Sequence, residues 1–398
     1  MPREAHRRSE GGFDWSLLVV MYLISAFGLF CIAMARYDPA ESANLPLLNK
    51  ILASRSGQWQ AIFLFVSPII IAIVTAIPTE LIRTRTRLAY YGVLLLLLAT
   101  LAMGVAFSGL RGWLHSDLLD RNIQVSEFAK LSVLLMLARQ MSRSETPMSK
   151  PKDFFRVLFI AGVPSLAILL QGETGTVIVI VFMFVVMMYF GGVEMKIILG
   201  IVGVGMIGVG AIVAYGLLDD NPDYRILRLL AFMDPQKYWD TGGYQIIRSK
   251  QAIGSGLMTG KGTFLTGSYT TLGYVPEAST DAIFSVVGES FGFVGCVALL
   301  AAYLYMVLRM LYLARFTLDK FGRLVIIGVM SMLFFHVFQN VAMSLGLMPI
   351  TGIPLPFMSY GGSNYISNVA AIALVLNVAK NRSVSSIATM PLPKLNTR

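Results

Sequence analysis

Charge is scarce in this chain. Only 14% of its 398 residues are Asp, Glu, Lys or Arg, where a soluble domain carries about 25%. Cysteine is scarcer still. Cys31 and Cys296 both fall inside apolar runs, which argues against a disulfide framework and a thiolate metal site. The three histidines, His6, His115 and His336, are isolated, so no His pair is spaced for a metal. His336 and Asn340, four residues apart in an apolar run, read instead as an interhelical hydrogen-bonding pair. What is abundant is apolar surface, 56% of residues. One soluble core cannot hide that much, so the bilayer must solvate much of it.

The pattern predicts an all-α integral membrane protein of about ten transmembrane helices. The candidate spans are 15–35, 59–78, 88–108, 127–141, 154–171, 175–192, 195–217, 281–313, 323–346 and 360–380. Residues 1–14 form a polar N-terminus, 15–380 one membrane domain, and 381–398 a Ser/Pro-rich tail expected to be disordered. The first apolar run is long for a signal-peptide core and lacks a clear small-residue cleavage site, so it reads as a retained span.

Basic residues orient the spans. With the N-terminus in the cytoplasm, the inner segments hold 20 of the 32 Lys and Arg, although the outer segments are longer in total. The formal net charge of +10 is therefore mostly a topology signal, and nucleic acid is not an expected partner. Both termini are then cytoplasmic. Membrane lipids are the surrounding partner.

A large extracytoplasmic loop, 218–280, separates the seventh and eighth spans. It is far too long for a connector. It holds two amphipathic pieces, Arg225 to Phe232 and Tyr244 to Ile253, and the Gly-rich run Gly254 to Gly262. That run fails the P-loop spacing, because three residues rather than four separate Gly256 from Gly260-Lys261. Its glycines still allow close backbone approach to a ligand, and Lys261 is placed to meet a phosphate.

Carboxylates gather at the same side. Glu277 and Asp281 lead into the eighth span, and a helix beginning near Pro276 would put both on one face. Spacing alone leaves Asp281 evenly balanced between a functional group and an N-cap. Glu289, two turns deeper, needs a partner. Glu127 and Lys130 share a helix face at the start of the fourth span, either as an ion pair easing insertion or as a headgroup site. Arg111 and Trp113 precede them. Glu173 sits in a tight turn between two spans. Finally, Thr351 to Ser363 carries two prolines and a glycine pair and reads as a re-entrant loop.

These residues resemble the SEDS family of bacterial cell-wall synthesis, which includes RodA, FtsW and SpoVE. The resemblance covers nearly the whole chain. Its most specific parts are Thr351–Ser363, the Pro276-Glu277…Thr280-Asp281…Ile283-Phe284 run, Ala252–Gly256, and Gln124…Ser126–Lys130. Thr351-Gly352-Ile353-Pro354 looks like the RodA branch. The family often has proline where Val125 stands and Gln-Pro-Asp where Gln171-Gly172-Glu173 stands, and residues 114–124 are unusual.

The resemblance implies a peptidoglycan glycosyltransferase at the outer face of the bacterial cytoplasmic membrane, serving cell elongation and rod shape. Its substrates would be lipid II and the growing glycan strand. Its partner would be a class B penicillin-binding protein. The family's essential aspartate maps onto Asp281, the expected general base. Lys130, positioned by Glu127 and helped by Arg111 and Lys261, would stabilise the departing diphosphate. Trp113, Ser359 and Gly362 complete the expected substrate-binding set. Glu277 would assist Asp281, or join it in holding a divalent cation, magnesium or manganese. No other cofactor is expected. The competing class is a lipid II flippase, which should show headgroup charges reachable from both faces and broken helices or inverted repeats. No internal repeat is visible in the sequence.

Overall fold

The computed structural model describes residues 9–10, 12–42, 44–103, 105–107, 110–116, 121–145, 148–217, 224–381 and 383–384. Its long helices follow the apolar runs: α1 (Trp15–Ala35), α4 (Arg55–Ala76), α5 (Thr79–Met103), α6 (Val125–Met141), α7 (Pro151–Leu170), α8 (Thr174–Gly191), α9 (Met195–Leu217), α12 (Ile283–Arg315), α13 (Lys320–Ser344) and α14 (Gly362–Asn381). Nine of these are long and apolar enough to cross a membrane. The tenth, α6, has 17 residues and carries the buried Glu127 and Lys130. Two short helices, α2 (Pro39–Ser42) and α3 (Leu47–Ala53), lie between α1 and α4. Two more, α10 (Tyr224–Met233) and α11 (Gly243–Ser255), realise the amphipathic pieces of the long loop.

Local chemistry marks the helix ends. Asp14 caps α1 by accepting from Leu17 N at 3.0 Å, and Arg309 of α12 holds the other carboxylate oxygen at 2.7 Å. Asp319 caps α13 through Gly322 N and pairs with Arg83 at 2.5 Å. Pro151 opens α7, where a missing N–H costs nothing. α13 and α14 are buried along most of their length and form the centre of the bundle, whereas α9 is almost wholly exposed.

Strands Ser9–Glu10 and Ser383–Val384 pair antiparallel, so both chain ends lie at one end of the bundle. The segment 224–282 sits at the opposite end, where α1 stops and α12 and α14 start.

The structure corrects the sequence reading in three places. The third span stops at Met103, and the chain then builds a three-stranded antiparallel sheet from Val105–Phe107, Leu110–Ser116 and Arg121–Gln124. Strands this short are too brief to show a period of two. The eighth helix does not begin near Pro276. Residues up to Ala282 are turns, and the helix starts at Ile283. Its N-cap is Ala282, without a side-chain bond, so Asp281 does not cap it. The tail beyond 384 and residues 218–223 of the long loop lie outside the described residues.

α12 is interrupted. Gly292 has φ 63° and ψ −160°, outside any helix. Across the break, Phe293 N donates to Leu257 O at 2.9 Å and Val294 N to Met258 O at 3.1 Å. From the other side, Lys261 N donates to Glu289 O at 2.9 Å and Gly262 N to Ser290 O at 3.1 Å. The Gly-rich run thus supplies the bonds that the broken helix lacks. A Cβ at Gly256 or Gly260 would collide with the backbone of Gly288 or Ser290. Its close approach is to α12 rather than to a ligand.

Candidate active site

Asp281 stands on a turn that other segments fix in place. Glu277 adopts φ 51°, in the left-handed region, and its carbonyl accepts from Thr280 N and Ala282 N, each at 3.0 Å. The long loop Thr351–Ser363 ties down the rest. Ser359 Oγ donates to Thr280 O at 2.6 Å and accepts from Leu355 N at 2.8 Å. Tyr360 N donates to Ser279 O at 2.9 Å. Asn340 of α13 donates from Nδ2 to both Asp281 O and Ile353 O at 2.8 Å. Arg36, at the end of α1, donates from Nε to Ser279 Oγ at 3.1 Å.

The turn that carries Asp281 is therefore held by α13, by the Thr351–Ser363 loop and by the end of α1, yet the Asp281 carboxylate accepts no hydrogen bond among the described residues. That carboxylate lines a small cleft with Gln245, Ser249 and Ser344. Burial pushes its pKa up to about 6; the charge of Glu277 adds to the rise and that of Arg228 opposes it. A carboxylate tuned in this way, at a cleft and without a hydrogen-bond partner among the described residues, is equipped to take a proton.

Glu277 Oε2 accepts from Thr280 Oγ1 at 2.8 Å. Two carboxylates with substrate phosphates are a usual ligand set for magnesium. Asp281 and Glu277 fit that partial set, while among the described residues no three acidic, His or Cys side chains gather as a metal cluster.

The other expected site residues are placed differently. Lys130 is 2% exposed, and its ammonium is held by Glu127 Oε1 at 2.8 Å and His336 Nε2 at 3.0 Å. Glu127 Oε2 takes Asn364 Nδ2 at 3.1 Å and Ser367 Oγ at 3.0 Å. Lys130 is thus a core cation joining α6, α13 and α14, not a surface group facing a diphosphate. Glu127 is its carboxylate partner. His336 reaches Lys130 of α6, whereas Asn340 bonds the turn at Asp281 and the loop at Ile353. Glu173 is buried rather than surface-exposed: Ser126 Oγ donates to it, and burial raises its pKa.

Lys261 pairs with Glu289 at 2.9 Å. Glu289 also accepts Tyr269 N at 2.7 Å and Thr270 N at 3.0 Å, so the acid that needed a partner has three donors. Ser359 is buried and spends its hydroxyl within the protein. Gly362 opens α14 where a Cβ would press on the ring of Phe63. Trp113 is half-buried in the small sheet, opposite Gln124. Arg111 lies in the same strand, with its side chain outside the described residues. The sequence reading missed Arg228, Arg36, Gln245 and Ser249. Only the amphipathic pattern of α10 and α11 hinted at a packed loop carrying Arg228, Gln245 and Ser249; Arg36 ends α1.

Fold and site together define a multi-pass membrane protein with a tuned carboxylate at one end of a helical bundle. The chain belongs to the FtsW, RodA and SpoVE family: that family's model, described as cell cycle protein, matches residues 14–384. It is 34% identical to the peptidoglycan glycosyltransferase MrdB of Escherichia coli K12 over 318 residues, 80% of this chain and 84% of that one. It is 28% identical to the peptidoglycan glycosyltransferase RodA of Treponema pallidum, over 93% and 98% of the two chains. Among solved structures, it resembles a chain of a peptidoglycan synthase complex coordinating polymerization and crosslinking, with TM-score 0.73, 26% identity and 93% and 98% coverage. Thermus thermophilus RodA matches with TM-score 0.67, 25% identity and 93% and 97% coverage.

Proposed function

We propose that this chain is a peptidoglycan glycosyltransferase that polymerises lipid II for cell elongation. The observation that carries the reading is Asp281: it stands on a turn fixed by other segments, its carboxylate accepts no hydrogen bond among the described residues, and its pKa is raised to about 6. A hydroxyl oxygen of the acceptor sugar attacks the anomeric carbon of the donor. The bond from that carbon to the diphosphate oxygen breaks, and Asp281 takes the hydroxyl proton. The products are a longer glycan and polyprenyl diphosphate. At neutral pH a carboxylic acid of pKa about 6 is mostly ionised, yet is a better base than an ordinary aspartate. Arg228 is the cation whose field reaches Asp281, and it replaces Lys130 as the first candidate to meet developing negative charge. A divalent cation on Asp281 and Glu277 would screen the diphosphate.

The basic residues near the paired termini favour a cytoplasmic placement of that end, which puts Asp281 at the outer face of the bacterial cytoplasmic membrane. A class B penicillin-binding protein is the proposed partner, supported by the likeness to a synthase complex.

One observation favours a second reading, a lipid II flippase: the break in α12. That break is filled by the backbone of Leu257 to Gly262 rather than by a cavity, so the polymerase reading stands ahead. Purified chain supplied with lipid II, with and without partner and magnesium, should form glycan polymer, and Asp281→Ala should lose it by several orders of magnitude. Polymerisation by Asp281→Ala at the wild-type rate would sink the base assignment. Lipid II transport without any polymer would favour the flippase.

A further inference from the structure

A group of aromatic rings borders the Asp281 cleft and has no part in the chemistry above. Trp239, in a short 3-10 turn, meets Tyr244 of α11 with ring centroids 5.1 Å apart at 72°. Arg248, one turn further along α11, sets its guanidinium 5.8 Å from the Trp239 ring, 5.2 Å from Tyr244 and 5.3 Å from Tyr274. Its Nη1 donates to Gln251 Oε1 at 3.0 Å. Tyr274 comes from a different segment, the one that runs into Asp281. Arg248 therefore joins α11 to that segment.

The rings and the cleft share α11. Gln245 and Ser249, which line it, follow Tyr244 and Arg248 in the chain. Gly242, between the Trp239 turn and α11, lies against Ile350, another lining residue. Two of the rings remain open to a ligand: Trp239 is 38% exposed and Tyr274 is 44% exposed.

Such an arrangement suits a sugar. The C–H face of a pyranose ring packs on an aromatic face, while its hydroxyls bond amides and guanidinium N–H groups at the rim. Here Arg248 lies among the rings and pre-organises them, so little entropy is lost on binding. Nη1 of the guanidinium is given to Gln251 and its charge is spread over three rings, which makes the surface better matched to an uncharged saccharide than to a diphosphate. Tryptophan and tyrosine also gather at membrane interfaces as anchors. Anchors need neither a shared guanidinium nor a place beside the reacting carboxylate.

We propose that Trp239, Tyr244 and Tyr274, fixed by Arg248, form a saccharide subsite that holds the glycan strand next to Asp281. The inference rests on the glycosyl-transfer reading and says where its polymer lies. A held strand stays for the next addition, so the subsite governs product length more than the first coupling.

The test uses full-length purified chain and lipid II, with two readouts: the rate of the first coupling, and the length distribution of the glycans. Trp239→Ala and Tyr274→Ala should shorten the glycans several-fold, with first coupling changed by less than the length. Trp239→Phe and Tyr274→Phe, which keep a ring, should restore length and show that the loss is not misfolding. Tyr215→Ala is the control, an exposed tyrosine near the end of α9 that is 77% exposed. Unchanged glycan length in the alanine variants overturns the subsite. So does equal shortening by Tyr215→Ala, which would make the rings membrane anchors. Absence of polymer from the wild-type chain would instead count against the glycosyl-transfer reading itself.

Discussion

Asp281 and Glu277 set the acid limb of the proposed reaction. The base works only when ionised, so polymerisation should fall as pH drops through about 6. Glu277→Gln removes a negative neighbour, makes Asp281 easier to ionise, and should move that limb to lower pH. Arg228→Gln removes the opposing positive charge and should move it to higher pH. Rates measured from about pH 5 to about pH 8 check both shifts; a limb unmoved by either variant would assign the titration to another group. The same raised pKa is a stability statement. Above pH 6 the folded chain holds a carboxylate that the unfolded chain ionises more readily. Asp281→Asn should therefore stabilise the protein by roughly 3 kcal/mol at neutral pH, since the pKa rises from 3.8 to about 6 and one pKa unit is about 1.4 kcal/mol, and should gain nothing near pH 3. Thermal unfolding in detergent at the two pH values reads this. Lys130 gives the opposite case. Lys130→Met leaves Glu127 buried without its cation, at about 3–5 kcal/mol, while adding Glu127→Gln should recover much of the loss.

Among the elements, α12 shows what a linear pattern carries and what it does not. Its apolar run made the helix legible, as similar runs did for the other long helices. The break at Gly292 was not legible, because a lone glycine in a helix run has many readings. The Gly254–Gly262 run was visible too, but its purpose depends on bonds to a helix some thirty residues away in the chain. Glu277 is another example. Its left-handed φ displaces the helix start to Ile283, and no pattern announces a glutamate in that conformation. Lys130 looked like a headgroup ligand because its contact with His336 is tertiary. Gly260→Ala, at φ 82° and against Ser290, should destabilise the fold by more than about 1 kcal/mol. Gly254→Ala, with open space around it, should be near neutral. Thermal unfolding of the two variants separates packing against α12 from general loop flexibility.

At the scale of the whole molecule, the long helices were readable from apolar length, and charge gave an expected orientation; the strands Ser9–Glu10 and Ser383–Val384 lie paired. Fusion reporters at the two termini should report the same side of the membrane; opposite sides would remove one crossing. The candidate site was half legible. Asp281 and Glu277 stood out, whereas Gln245 and Ser249 line the cleft, and Arg228 acts on Asp281 by its charge, only through the folding of the long loop.

The interruption of α12 also divides labour between two lengths of helix. Ile283–Phe291 would rise only about 14 Å, while Phe293–Arg315 would rise about 34 Å, enough to cross hydrocarbon unaided. Bilayers of different acyl-chain length should therefore tilt the longer piece and leave the shorter one, pinned by Leu257–Gly262 and Asn340, where it is. Polymerisation in thin and thick vesicles should then differ little, and wall synthesis would keep its pace as the cell remodels its lipids.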